Sequence, residues 1–296
     1  MPHRRLLTAL ILIMAAAAAL ASATGIFSVG GPGFHELTTW RDTTVILYGQ
    51  GLYQHMSADV AIQGIAQDYV TLFLGVPLLL IAWWAARGGS LRYRLLLAGV
   101  VSYFLVTYLF YLTMGMFNPL FLVYALLLAI SFFSLLLLLV PIDRSALVQA
   151  FSSRAPVKLV GGFLVFNAIA IAVLWLGVVV PPMLDGTVYP PELEHYTTLI
   201  VQGLDLGLLL PICLVVGLLL RAWRPLGLLG GTVYTVFLAL LMTALSAKLI
   251  AMSQAGVNTV PAIFIIPLIN LLAMASAVWL LSNVRASAVS SAAPVA

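Results

Sequence analysis

Leu120–Val140 reads LFLVYALLLAISFFSLLLLLV, 21 residues without a charge and with Tyr124, Ser131 and Ser134 as its only hydroxyls. Strands of a membrane barrel alternate apolar and polar residues with period two, and this run is apolar on every side. Wound as a helix it is about 30 Å long, the thickness of a bilayer's hydrocarbon. In lipid, backbone N–H and C=O groups must find partners within the protein, and a helix supplies them within one segment. The stretch therefore reads as a transmembrane helix.

Runs of the same kind recur outward from it. Spans are expected at Leu6–Phe27, Tyr69–Ala86, Leu95–Gly115, Leu120–Val140, Leu159–Val180, Leu199–Leu220, Leu226–Ala251 and Val260–Leu281. Hydrophobic residues make up 63% of the 296 positions and charged residues 7%, against about 25% charged in soluble domains. The fold class is an all-α integral membrane protein of about eight helices, with the lipid bilayer as its constant partner. The formal charge of +4 does not indicate nucleic acid, because the basic residues stand singly between spans and form no aromatic-interleaved stripe. Cys213, the one cysteine, reads as a small buried apolar side chain.

The loops orient the chain. With the N-terminus inside, the inner side carries Arg4, Arg5, Arg87, Arg92, Arg94, Arg144, Arg154, Lys158, Arg221, Arg224 and Arg285 against Asp143 alone. The outer side carries Arg41 and Lys248 against Glu36, Asp42, Asp59, Asp68, Asp185, Glu192, Glu194 and Asp205. Eleven basic residues against two is a strong positive-inside signal. It implies a bacterial-type cytoplasmic (inner) membrane with both termini cytoplasmic. Ala21-Ser22-Ala23 after a basic start also fits a signal-peptide cleavage site. Retention is favoured, because the first span matches the fifth in a repeat.

That repeat gives two parallel four-helix halves, 1–145 with outer loop 28–67 and 146–284 with outer loop 181–198, followed by a disordered cytoplasmic tail, 285–296. Each long outer loop leads through a Gln-Gly pair, Gln63-Gly64 or Gln202-Gly203, to an acid, Asp68 or Asp205. Glycines open the third span of each half, at Gly99 and at Gly230-Gly231. The plan resembles that of heme-handling membrane proteins such as heme A synthase. Those ligate heme with histidines inside the helices, and no span here carries one, so no heme, metal or other cofactor is expected.

Polar groups in or near hydrocarbon are costly and mark sites. Two readings of the acids stand side by side. As helix ends at the outer interface, Asp68 and Asp205 complement the dipole of a helix N-terminus. As a site, they join Gln63, Gln67, Gln202 and Lys248 in an outward-facing polar pocket between the halves. Tyr103, Thr107 and Tyr111 share one face of the third span and serve either close packing or the lining of that pocket. Asn167 and Asn270, each in mid-span, are expected to bond to each other. Pro77, Pro211 and Pro267 are expected to kink their spans. The leading expectation is binding or translocation of a small molecule or lipid at this pocket. A membrane-embedded enzyme or heme-assembly factor using His55, His195 and the outer acids is the alternative, and an accessory subunit without its own site is the third. The catalytic residues, the ligand and the oligomeric state are not legible.

Overall fold

The computed structural model describes residues 3–285. Nine helices follow one another there: α1 (Arg4–Phe27), α2 (Ala58–Ala86), α3 (Leu91–Thr113), α4 (Phe121–Leu139), α5 (Arg144–Ala150), α6 (Val157–Leu184), α7 (Ile200–Arg221), α8 (Pro225–Gln254) and α9 (Ala262–Ser282). All except the short α5 are long and apolar enough to cross a membrane. The chain is an all-α, multi-pass membrane protein. The only sheet among the described residues is an antiparallel hairpin of β1 (His35–Thr38) and β2 (Thr44–Leu47), with His35 opposite Leu47 and Thr38 opposite Thr44.

One boundary differs from the sequence reading by a wide margin. The second span starts at Ala58, not Tyr69, so the loop between α1 and α2 ends at residue 57. Asp59, Gln63, Gln67 and Asp68 depress the hydropathy of this stretch. Its buried residues Ala61, Ala66, Gln67 and Asp68 nonetheless pack it inward, against α1 and α8. Asp68 is consequently the eleventh residue of its helix, about 15 Å from the near end and about 27 Å from the far end. The placement of Asp68 at a helix N-terminus is thus corrected. Asp205 is the sixth residue of α7 and does not open its helix either.

Pro77 and Pro211 act alike. A proline lacks the N–H that an α-helix needs and crowds the preceding turn. In both helices the backbone adjusts with a five-residue π-helical turn that ends two residues before the proline, Thr71–Gly75 in α2 and Asp205–Leu209 in α7. Counted back from the prolines, Asp68 lies nine residues away and Asp205 six. In this frame Asp68 falls opposite Gln202, and Asp205 falls opposite Thr71.

The spans pack around α3 and α8. Of the eight, α3 is the most enclosed and α6 the least. α8 lies against α2, α3, α7 and α9; α1 packs on α2 and α4; α6 packs on α7. Gly99 sets the distance between α3 and α8, since a Cβ there would overlap the Val236 side chain and crowd the Val233 carbonyl. Small residues at such crossings let helix backbones approach in lipid. The expected Asn167–Asn270 bond does not form. Asn270 bonds to Thr243 on α8 at 3.1 Å, and Asn167 Oδ1 is buried without a partner. Packing decides this, because α9 lies on α8 whereas α6 lies on α7.

Arg285 N–H donates to the Ala150 carbonyl at 2.8 Å and fastens the end of α9 to α5. The rest of the expected tail, 286–296, lies outside the described residues.

Candidate functional site

Asp68 is the most deeply enclosed acid, 1% exposed. Tyr53, in a short helical turn of the loop between α1 and α2, donates its hydroxyl to Oδ2 at 2.5 Å. Tyr111 of α3 donates to Oδ1 at 2.9 Å and also lies 3.1 Å from the Gly64 carbonyl. Two further buried hydroxyls belong to the same cluster, Ser22 of α1 and Tyr108 of α3, and neither has a hydrogen-bond partner. Tyr124 of α4 packs against both Tyr108 and Tyr111. The carboxylate comes this close to α1 because residue 25 is glycine: a Cβ there would overlap the Asp68 carboxyl and press on the Tyr53 hydroxyl. Burial, and then the facing Asp68, hold the Tyr53 phenol well above its ordinary value, so it stays a donor.

The residue preceding Asp68, Gln67, donates to the Tyr103 hydroxyl at 2.8 Å and to Thr107 at 3.3 Å, and Thr71, one turn on, meets Tyr103 at 2.8 Å. The Tyr103–Thr107–Tyr111 face of α3 therefore meets the polar face of α2. Gln63, on the same helix, is half-buried and bonds to no side chain among the described residues.

Lys248 is half-buried on α8, about 9 Å from that helix's C-terminal end. Asp68 of α2 and Asp205 of α7 both lie within Coulombic range of its ammonium. It forms no direct ion pair with either. Asp205 accepts a hydrogen bond from Trp175 Nε1 of α6 at 2.7 Å instead. Gln202 is buried one turn before Asp205. Three spans thus carry one amine and two carboxyl groups within Coulombic range of it, with Gln67, Tyr103 and Tyr111 on the Asp68 side. Gln63 and Gln202 flank the group without joining its hydrogen bonds.

The loops 28–57 and 185–199 meet at this end of the bundle. Arg41 donates to the Glu194 and Tyr196 carbonyls at 2.9 and 2.7 Å, and its guanidinium lies 4.1 Å from the Trp40 ring and 5.0 Å from the Tyr189 ring. The Ser57 N–H donates to the Tyr196 hydroxyl at 3.3 Å. Between the loops is a cavity of about 600 Å³ lined by Arg41, Thr44, Ser57, Asp59, Tyr189 and Glu194 among others. Burial raises the Glu194 carboxyl, with Asp59 adding to the rise.

His55 and His195 do not pair ring to ring. His195 Nε2 lies 3.0 Å from the His55 carbonyl, which can only accept, so Nε2 carries the proton. Its Nδ1 is buried without a partner, and burial lowers the imidazole below 6.5.

Sequence reading missed Tyr53, Tyr108, Tyr124, Ser22 and Gly25. Tyr108 lies off the four-residue stripe of Tyr103 and Tyr111. Ser22 and Gly25 belong to a run of small residues that also reads as a cleavage site. Comparison of the chain with family models, with curated proteins and with solved structures gives no match.

Proposed function

We propose that this protein binds a small polar or amphipathic molecule, or a lipid headgroup, at an outward-facing site where α2, α7 and α8 bring Asp68, Asp205 and Lys248 together. The setting we propose is a bacterial-type inner membrane with both ends of the chain cytoplasmic, and two parallel four-helix halves with the site between them. The observation that carries the reading is Lys248. An ammonium within a span is costly unless it is paired or serves a site. Here carboxyl groups from two different helices lie within Coulombic range of it, and neither joins it in a direct ion pair. Charges held close but unneutralised can be completed by a ligand that carries both an acceptor and a donor. The polar residues concentrate toward one end of the spans, which favours binding at the outer face over passage through the membrane. The enzyme alternative names His55, His195 and the outer acids, and His195 Nε2 is engaged by the His55 backbone carbonyl and not by the His55 ring.

Native mass spectrometry of protein purified without added ligand tests the reading. Wild type should retain a co-purifying small molecule or lipid that Lys248→Met loses, with an unchanged circular dichroism spectrum. An identical set of bound masses in the two proteins would sink the proposal.

A further inference from the structure

We infer that a cleft at the opposite, arginine-bearing end of the bundle binds the phosphate of an anionic phospholipid. The cleft lies where the start of α1 meets the end of α2. It measures about 520 Å³ and is lined by Arg4, Arg5, Thr8, Trp83 and Arg87. Three guanidiniums face this space and no acid lines it. Among the described residues, none of the three donates to a protein acceptor. The other arginines near this end of α3 are engaged: Arg92 donates to the Ser282 and Val284 carbonyls, and Arg94 to the Leu138 carbonyl. Arg4, Arg5 and Arg87 keep their planar N–H forks free, and such forks match phosphate oxygens two at a time.

The cleft is also organised. Trp83 Nε1 donates to Thr8 Oγ at 3.3 Å and ties α2 to α1. The Arg87 guanidinium lies 5.2 Å from the Trp83 ring centroid, an attraction that orients the cation. The choice of a lipid over a free anion follows from the surroundings. Leu6 and Trp84, next in sequence to Arg5 and Trp83, are 52% and 68% exposed and offer apolar surface along which acyl chains can lie. Basic pockets between spans on the cytoplasmic side recognise anionic headgroups by this combination. The inference is independent of the Lys248 site, because it uses other residues at the other end of the molecule.

The test uses the full chain in nanodiscs of mixed phosphatidylglycerol and phosphatidylcholine, released and weighed by native mass spectrometry. Wild type should retain phosphatidylglycerol over phosphatidylcholine, and excess inorganic phosphate should leave that lipid bound. Arg87→Gln should weaken retention roughly fivefold, and the triple variant Arg4→Gln, Arg5→Gln, Arg87→Gln should abolish it. The control Arg144→Gln, Arg154→Gln removes two exposed charges of the same face outside the cleft and should bind as wild type. If the triple glutamine variant does not insert, Arg87→Gln and a triple arginine-to-lysine variant carry the test, and full retention in both overturns the inference. Equal retention of the two lipids also overturns it. So does displacement of the lipid by phosphate alone, which would make the cleft a free-anion site.

Discussion

The carboxyl of Asp68 takes two phenolic hydrogen bonds, from Tyr53 and Tyr111, in a cluster that holds two more buried hydroxyls, Ser22 and Tyr108. Removing a donor from an enclosed acceptor costs the desolvation of the group left unpaired. Tyr53→Phe is therefore expected to lower stability by about 1.5–3 kcal/mol. Gly25→Ala should cost about 1–3 kcal/mol by overpacking, because the new methyl lands on the carboxyl. If that contact is the cause, combining Gly25→Ala with Asp68→Ala should give less than the sum of the two single losses in denaturant or thermal unfolding. Additivity of the two would show that Gly25 acts elsewhere. At this scale the sequence was legible in part. Asp68, Gln67, Tyr103 and Tyr111 could be named because acids, amides and phenols are conspicuous among apolar residues. Tyr53 could not, because it approaches Asp68 from a loop, and loop geometry follows no helical periodicity.

The loops 28–57 and 185–199 illustrate what an element adds to its residues. Their lengths and acidity are visible in the sequence. The hairpin and the way Arg41, Tyr196 and His195 lace one loop to the other are not, since those bonds go mostly to backbone carbonyls that any sequence provides. The lacing should depend on pH. His195 is held below 6.5 by burial, so between its folded value and 6.5 the unfolded loop binds more protons than the folded one. Stability then rises with pH through this window, is complete above 6.5 and is lost as pH falls through the folded value. Glu194, held above its ordinary 4.5 by burial, contributes the opposite slope. Glu194→Gln removes that slope and leaves the histidine alone. In this variant, hydrogen exchange of residues 189–196, corrected for the intrinsic rate, should slow as pH rises from acid through 6.5. Further replacement of His195 by Asn should flatten the profile. A slope that persists without His195 would place the titrating group elsewhere. The helices themselves were mostly legible from apolar run length. α2 was the exception, because its first three turns trade hydropathy for the buried polar contacts that build the site.

Taken whole, the molecule's asymmetry of charge argues its orientation. Eleven of thirteen basic residues fall at one set of span ends when the loops are assigned alternately, and the positive-inside rule predicts the cytoplasmic side for those loops. The helix α6 offers a clean test, since its 28 residues extend about 42 Å, more than the roughly 30 Å of hydrocarbon. Ser153, just before α6, and Thr197, in the loop that follows it, are both exposed, so a spanning α6 puts them on opposite sides of the bilayer. Cys213, the one native thiol, is buried and donates to the Leu164 carbonyl, so Cys213→Ala gives a silent background. In that background Thr197→Cys should react with a membrane-impermeant maleimide added to intact cells. Ser153→Cys should react only after the membrane is permeabilised. The reversed pattern would put the arginine-rich loops outside, against the charge rule, and would move the Lys248 site to the cytoplasmic face. Labelling of both positions in intact cells would mean that α6 does not span at all. The expected result places Asp68, Asp205 and Lys248 near the outer surface and the three-arginine cleft at the inner one, so that the two ends of the bundle address opposite compartments.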